Sequence, residues 1–174
     1  MSHLFAFQRT QGVEESFMPT NFRAALIGSS LLLLPVLIGA SEQHDGKANQ
    51  AIGGIMPSYL VIQNSLSNDS LSEVSGSAKK ILAEADKLSS PRDKKSLEDS
   101  ARALAKAKDL KSARDAFKAL SSTVIPWARK AKPAGVQEYF CSMADASWLQ
   151  SSGETANPYY GKEMRGCGEV KSGN

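Results

Sequence analysis

Four sulfur-bearing side chains lie in two pairs near the C-terminal end of this chain. One pair is Cys141 and Met143, and the other is Met164 and Cys167, so each pair puts a thiol and a thioether within a few residues. Thiolates and thioethers are soft ligands that select soft cations, notably Cu(I). A loop between the pairs can bring them together. One interpretation is therefore a soft-metal site with Cys141, Met143, Met164 and Cys167 as its ligands.

A disulfide between the two cysteines is the alternative interpretation of the same residues. Two cysteines in an exported domain usually pair with each other. A Cys141–Cys167 bridge would close a loop of about 27 residues and, in the chain-entropy model, stabilise the domain by roughly 3 to 4 kcal/mol. Met143 and Met164 would then be packing residues. Because metal binding requires free thiolates, the two interpretations exclude each other, and the spacing does not decide between them.

The rest of the chain has few residues suited to catalysis. Its two histidines, His3 and His44, precede the predicted domain, which therefore lacks the commonest general base and metal ligand. No pair of carboxylates lies in an apolar stretch of the kind that acid–base catalysis needs, and no phosphate-binding glycine loop or nucleophile elbow is present. The sequence predicts that the protein is not an enzyme and has no catalytic or cofactor-binding residues.

The charge pattern argues against nucleic acid as a partner. The net charge is only +3, from 21 basic and 18 acidic residues. Basic and acidic residues alternate along the chain instead of forming a basic block, and aromatic residues are not interleaved with basic ones as in single-strand binders. We therefore expect no nucleic acid partner.

The first 40 residues have the pattern of a secretory signal peptide. Residues 24–40 carry no charge, Arg23 precedes them, and small residues end the run at Ala40. Residues 1–40 are thus predicted to be a signal peptide with a long n-region, and Met18 is an alternative start. The apolar run is shorter than the roughly 20 residues of a spanning helix, which favours cleavage over an uncleaved anchor. The expected location is periplasmic or secreted, oxidising, and without stable membrane insertion after cleavage.

Four segments with helical periodicity dominate the predicted domain, which spans residues 55–170 and follows a flexible, Gly-rich arm at 41–54. The first segment begins at Pro57, a residue suited to the first helical position. Short connections favour an up-and-down four-helix bundle, and the predicted fold class is all-α. The apolar stripes, spaced by three and four residues, are Tyr59, Ile62 and Leu66; Leu71, Val74, Ala78, Ile81, Ala85 and Leu88; Leu97, Ala101 and Leu104; and Leu110, Ala113, Phe117, Leu120, Val124 and Trp127.

Polar residues before the later segments predict where those helices begin. Ser70 with Glu73 fits a capping box for the second helix. Ser96 is the predicted N-cap of the third helix, and Asp109 is that of the fourth. Pro126 lies inside the fourth apolar stripe and is expected to kink or end its helix.

Residues 136–170 lose the helical period and are predicted to form an irregular Cys/Met segment attached to the bundle. Glycine and proline punctuate this stretch. The segment has room for short β-strands at Val136–Phe140 and at Gly168–Val170.

Several motifs of this segment resemble those of a known family. They are Tyr139-Phe140-Cys141-Ser142-Met143-Ala144, Trp148-Leu149-Gln150, Asn157-Pro158-Tyr159-Tyr160-Gly161-Lys162, Met164, and Cys167-Gly168-Glu169-Val170. The chain resembles, over roughly residues 55–170, an uncharacterised bacterial domain family of exported proteins that is also appended to periplasmic adaptor subunits of copper and heavy-metal efflux pumps. The resemblance implies a helical bundle with a Cys/Met segment and a link to soft-metal handling. Ser142 stands where the family usually has proline.

Together with the predicted signal peptide and the four sulfur residues, the resemblance implies an exported (periplasmic) accessory protein that binds or helps handle copper or another soft heavy metal, linked to metal efflux and resistance. The expected cofactor is Cu(I) or another soft metal. The expected partners are metal-efflux pump components or periplasmic metal-handling proteins. The alternative is a disulfide-stapled, non-metal interaction module that docks a partner through the bundle surface or through a patch of Trp148, Tyr159 and Tyr160.

Overall fold

Four helices come first along the chain, and a small sheet follows them. In a computed structural model that describes residues 42–171, the helices are α1 (Glu42–Ser67), α2 (Val74–Ala85), α3 (Pro91–Lys106) and α4 (Leu110–Ala131). The strands are β1 (Val136–Cys141), β2 (Ala146–Ser151) and β3 (Glu169–Val170), and a short 3-10 helix, Gly161–Glu163, precedes β3. The described residues belong to one compact unit of the chain. The predicted signal peptide at 1–40, with the alternative start at Met18, lies outside them.

The predicted all-α fold class is wrong, because the domain is mixed α/β. A three-stranded antiparallel sheet with strand order β2-β1-β3 follows the helices. β1 pairs with β2 along its whole length, and the short edge strand β3 pairs with β1 at Tyr139 and Phe140. The strands predicted at 136–140 and 168–170 correspond to β1 and β3. Residues 136–170 are therefore less irregular than the sequence predicted.

Strand β2 escaped prediction because both of its faces are covered. Trp148, Leu149 and Gln150 are consecutive and all buried, at 3% exposure or less. A strand with one solvated face alternates apolar and polar residues, and that alternation is the signal that reveals it in a sequence. β2 lies against α1 and α4 and is covered elsewhere by the C-terminal segment, so the signal is missing.

The helical bundle that the periodicity predicted is confirmed. One residue from each predicted stripe illustrates it, since Ile62, Ile81, Leu104 and Phe117 are all completely buried in one core. Burial of a side chain of this size stabilises the fold by about 1.5–3 kcal/mol. No helix within residues 42–171 combines the length and the apolar character needed to cross a membrane.

The predicted flexible arm at 41–54 is helical from Glu42 onward. Ala51, Ile52 and Ile55 are buried on the face that α1 turns toward the core, whereas Gly53 and Gly54 are exposed. The glycines suggested flexibility, but apolar residues at helical spacing bind this stretch to the bundle. α1 therefore extends well before the predicted start at Pro57.

Two prolines lie inside helices without ending them. Pro57 is in α1 and Pro126 is in α4, and both are exposed. A proline in a helix deprives the carbonyl four residues earlier of its partner. Those carbonyls belong to Gly53 and Ser122, which are exposed themselves, so water can satisfy them. Of the two effects predicted for Pro126, a kink or an end of the helix, the end does not occur, and the kink stays a prediction.

The helix caps agree with the sequence in one case out of three. The Asp109 carboxylate accepts a hydrogen bond from the Ser112 amide at 2.7 Å, which confirms the predicted N-cap of α4. α3 begins at Pro91 with Ser90 as its cap, so the prediction of Ser96 was wrong. The capping box of α2 was also wrong, because its N-cap Glu73 makes no side-chain cap bond.

A chain of aromatic side chains joins the bundle to the sheet. Tyr59 of α1 and Phe117 of α4 have ring centroids 4.9 Å apart, and Phe117 lies 6.1 Å from Tyr159 in the C-terminal segment. Tyr159 meets Trp148 edge-on at 5.8 Å, and Trp148 stacks on Tyr139 at 5.6 Å. Aromatic pairs at these separations add to the stabilisation that burial provides. The sheet is therefore fixed to the helices through aromatic rings that come from the helices, from the sheet and from the C-terminal segment.

The buried hydroxyl of Tyr59 adds a polar link between α1 and β2. It accepts a hydrogen bond from the Leu149 amide at 3.1 Å and shares a second one with the Ser121 hydroxyl of α4 at 2.6 Å. Burial, the largest cause, raises the pKa of Tyr59 far above its ordinary value, so this hydroxyl stays neutral. Its role in the described structure is to satisfy a backbone donor at the junction of helix and strand.

Candidate sulfur site and its disulfide

The β1–β2 hairpin positions the first Cys/Met pair. Cys141 is the last residue of β1 and is only 1% exposed. The turn that follows contains Asp145 in the left-handed region, at φ 43°, and the Asp145 amide donates to the Ser142 carbonyl at 3.2 Å. Met143 lies in this turn and is 64% exposed, while the Tyr160 hydroxyl donates to its carbonyl at 3.0 Å. The pair thus combines a buried cysteine with a solvent-facing methionine.

The second pair follows the 3-10 helix Gly161–Glu163. The Cys167 amide donates to the Met164 carbonyl at 2.9 Å, which closes a turn between the two residues. Both residues are half-buried. Both residues of this pair are therefore more exposed than Cys141.

Cys141 and Cys167 form a disulfide that connects the two pairs. Their Cα atoms lie 5.8 Å apart although 26 positions separate them in sequence. Neither cysteine of residues 42–171 is free, so the disulfide predicted as the alternative is confirmed. Thiolates are the forms that bind metals, and in this structure both thiols are consumed by the bridge. The bridge nevertheless places Met143 and Met164 two and three residues away from one joined pair of sulfurs.

The described residues contain no cluster of the commonest metal-binding side chains. Within residues 42–171, no group of three or more His, Cys, Asp or Glu side chains is placed to hold a metal ion. Thioethers are a different class of ligand and favour soft metals such as Cu(I). Any metal site built here therefore depends on the sulfur atoms of the two Cys/Met pairs.

Asn157 fixes the position of the second pair. It is completely buried, and its side-chain amide donates to the Cys167 carbonyl at 2.7 Å. Its side-chain oxygen accepts from the amides of Tyr159 at 2.8 Å and Tyr160 at 3.2 Å, and its own amide donates to the Arg165 carbonyl at 2.9 Å. Asn157 and Pro158 belong to one of the sequence motifs, but no role was predicted for the asparagine. The preference of Asn for capping its own downstream amides is the signal that identifies it.

Replacing Asn157 with alanine is expected to lower the free energy of unfolding by about 1–3 kcal/mol, because buried backbone groups lose their partners. Urea unfolding of the oxidised protein measures the change. Asn157→Asp is the matched variant, since it keeps the acceptor for the Tyr159 and Tyr160 amides but loses the donor to Cys167. Equal stability of Asn157→Ala and the wild type would show that the segment does not depend on this side chain.

The buried side chain of Gln150 holds the loop after β2. The Gln150 side-chain oxygen accepts from the Trp148 indole and from the Ala156 amide, both at 3.0 Å. Its amide group donates to the Glu154 carbonyl at 2.8 Å.

The predicted surface patch of Trp148, Tyr159 and Tyr160 was wrong for Trp148, because this side chain is completely buried and cannot contact a partner.

An ion pair anchors the C-terminal segment to the end of α1. Asp69 has φ 57°, and its carboxylate accepts from the Arg114 guanidinium of α4 and from the Lys162 amide. Arg165 donates to the Ser67 carbonyl at 2.8 Å, one of the carbonyls that α1 leaves unpaired at its end. Burial alone would raise the pKa of Asp69, but the hydrogen bonds from Lys162 and Arg114 outweigh it and hold that pKa below its usual value.

A second ion pair connects α4 with β1. The Arg129 guanidinium donates two hydrogen bonds of 2.8 Å to the Glu138 carboxylate, in the bidentate geometry that favours strong pairing. Partial burial alone would raise the pKa of Glu138, but the hydrogen bonds and the positive charge of Arg129 lower it overall. Both carboxylates therefore favour the folded state only while they are ionised.

The free energy of unfolding is expected to fall as the pH drops from about 5 to about 2, because the unfolded chain, with carboxyl pKa values near 4, binds more protons than the folded protein. The stabilisation from Asp69 and Glu138 is fully present above that range and is lost as the pH passes through their lowered pKa values. Urea unfolding at a series of pH values measures the slope, and Asp69→Asn and Glu138→Gln should each flatten it. An unchanged slope in the double variant would contradict this assignment.

Residues 55–134 match a known family model. The family is described as a protein of unknown function (DUF3347). The chain has no match among curated proteins and none among solved structures. The resemblance predicted over roughly residues 55–170 is thus shown only in part, as a domain of unknown function over residues 55–134.

The matched residues end before the sulfur site begins. They run from α1 to just past α4 and stop ahead of β1, so Cys141, Met143, Met164 and Cys167 all lie outside the match. The efflux-related context came from the resemblance alone and the exported context from the predicted signal peptide and the resemblance, so both are proposals. The sulfur residues have to be interpreted from their own geometry.

Proposed function

We propose that this protein is an exported accessory protein that binds or helps handle copper or another soft heavy metal, in metal efflux or resistance. Its ligands would be Cys141 and Cys167 as thiolates and Met143 and Met164 as thioethers. The observation that carries the proposal is the bridge, because it joins two Cys/Met pairs that are distant in sequence at one place, with Cα atoms 5.8 Å apart. The disulfide would then be the form that does not bind metal.

The exposure of the methionines supports a site that opens on reduction. Met143 is 64% exposed and Met164 is half-buried, and they lie two and three residues from the bridged cysteines in sequence. Reduction would add two electrons and two protons and leave two thiols, which lose their protons when they bind a metal. The purely structural interpretation makes Met143 a packing residue. A side chain as exposed as that of Met143 does not have this role in the folded domain.

The location and the partners belong to the same proposal. A disulfide is typical of oxidising compartments, which agrees with the signal peptide predicted at 1–40. Components of a metal-efflux pump, or other periplasmic metal-handling proteins, would then be the partners, as the family resemblance implies. That the protein is not an enzyme stays a prediction.

Anaerobic titration with Cu(I) against a competing chelator tests the proposal. The fully reduced chain should show two free thiols and retain one Cu(I), whereas the oxidised chain should retain none. Met143→Leu should weaken binding about tenfold or more, which corresponds to about 1.4 kcal/mol. Met56→Leu is the matched control, because Met56 is buried in α1 away from both cysteines in sequence. Two free thiols without any Cu(I) uptake would overturn the metal function.

The second candidate function is a disulfide-stapled interaction module without a metal, which docks a partner through the bundle surface. The observation in its favour is that Cys141 is 1% exposed and that Asn157 holds the Cys167 carbonyl in place, as expected of a structural staple. The same titration separates the candidates. A reduced protein that keeps its helical content and takes up no Cu(I) would favour the module.

A further inference from the structure

The two cysteines of the bridge differ in their access to solvent. Cys141 is 1% exposed at the end of β1, whereas Cys167 is half-buried and lies outside any strand. Gly166, the residue before Cys167, is exposed, and a Cβ added to it would meet no atom within 4 Å. On the other side, a Cβ added to Gly168 would overlap the Trp148 indole. Cys167 is therefore the cysteine of the bridge with more access to solvent, and the space beside its neighbour Gly166 is open.

We propose that a dithiol oxidoreductase, in the compartment to which this protein is exported, opens and closes this bridge through Cys167. The first thiolate of the partner attacks Sγ of Cys167, the S–S bond breaks, and Cys141 leaves as a thiolate that takes up a proton. The second thiol of the partner then displaces Cys167, so that two electrons and two protons pass to this chain and the partner becomes a disulfide. The inference rests on the proposed function, because metal binding by the free thiolates is what requires the bridge to open.

Leaving-group chemistry alone favours attack on Cys141, but solvent access determines that the attack occurs on Cys167. Attack on Cys141 would release the Cys167 thiolate toward solvent, and a solvated thiolate is a better leaving group than one released in a buried setting. Exchange, however, requires the attacking thiolate to reach the sulfur along its approach path. With 1% exposure, Cys141 offers no such path in the folded protein.

The rigid setting of both cysteines indicates why the partner needs two thiols. After the first attack, β1 still holds Cys141, and the Asn157 side chain still holds the Cys167 carbonyl at 2.7 Å. The released Cys141 thiol therefore stays beside the mixed disulfide and, on losing its proton again, can attack it, which re-forms the bridge. A monothiol would lose this competition, whereas a dithiol resolves the mixed disulfide within one complex.

A trapping experiment with the oxidised full chain tests the proposal. The probe is a thioredoxin-type Cys-x-x-Cys oxidoreductase whose second cysteine is replaced by alanine. It is added in large excess and the mixture is quenched with acid, so that the mixed disulfide is captured before Cys141 re-forms the bridge. Peptide mapping by mass spectrometry should place it on Cys167 in about tenfold or greater excess over Cys141, because access controls the attack. Equal adducts at both cysteines, a majority at Cys141, or no adduct while a small phosphine reduces the bridge would each overturn the proposal.

Glycine substitutions provide a matched control for the approach path. Gly166→Leu adds bulk in the open space beside Cys167 and should slow reduction by the intact oxidoreductase about tenfold by blocking access. Gly76→Leu adds the same bulk to an open surface position of α2 and should leave the rate unchanged. Equal rates for the two variants would contradict the assigned path. Neither measurement involves metal, so the Cu(I) titration of chemically reduced protein fails or succeeds independently.

Discussion

Replacing Cys141 and Cys167 together by alanine is expected to lower the free energy of unfolding by about 2–5 kcal/mol. The bridge spans 26 positions of sequence and closes a loop that contains β2, the 3-10 helix and the Asn157 network. In the unfolded chain such a loop has fewer conformations, and for about 27 residues the chain-entropy model gives about 3.5 kcal/mol. A domain of this size has a total stability of about 5–15 kcal/mol, so the loss would be a large fraction.

Reduction of the wild type separates the two contributions to this loss. The reduced wild type keeps both sulfur atoms, so its loss of stability reports the released loop alone. The alanine variant also loses the buried sulfur of Cys141, and its stability should be lower than that of the reduced wild type. Urea unfolding followed by circular dichroism measures all three forms. If reduction left the unfolding midpoint unchanged, the bridge would have no stabilising role.

The bundle could be predicted from the sequence because its helices repeat one apolar period. The stripe of α4 illustrates this, since Ala113, Phe117, Leu120 and Val124 recur at helical spacing and are all completely buried. Asp109 could be identified as a cap because its role requires only the amide of Ser112, three residues away. Local rules of this kind need no knowledge of the rest of the fold.

The sheet and the site depend on contacts that a sequence does not display. β2 is buried on both faces by elements from three parts of the chain, so its residues lack a strand period. Asp69 becomes an anchor only because Arg114 and Lys162, 45 and 93 positions away, fold against it. The disulfide depends on the same long-range folding, since the hairpin brings Cys141 next to a segment that Asn157 positions.

Trp148→Ala is expected to lower the free energy of unfolding by about 3–5 kcal/mol, the largest single-residue effect that we predict. The indole is completely buried between Tyr139, on which it stacks, and Tyr159, which it meets edge-on. Its removal leaves a cavity beside Gly168, and Gln150 loses the indole donor at 3.0 Å. Urea unfolding of the oxidised protein measures the change.

Trp127→Ala is the matched control, because Trp127 is only half-buried on α4 and packs against the edge of the core. Its loss should cost about 1–2 kcal/mol, in proportion to the smaller apolar area that it buries. Trp148→Phe keeps an aromatic ring beside Tyr139 and should fall between the wild type and Trp148→Ala. If Trp127→Ala destabilised the protein more than Trp148→Ala, the chain of aromatic side chains would not be the main connection between the sheet and the bundle. The position of Cys141 would then depend on the disulfide and on the ion pair between Arg129 and Glu138.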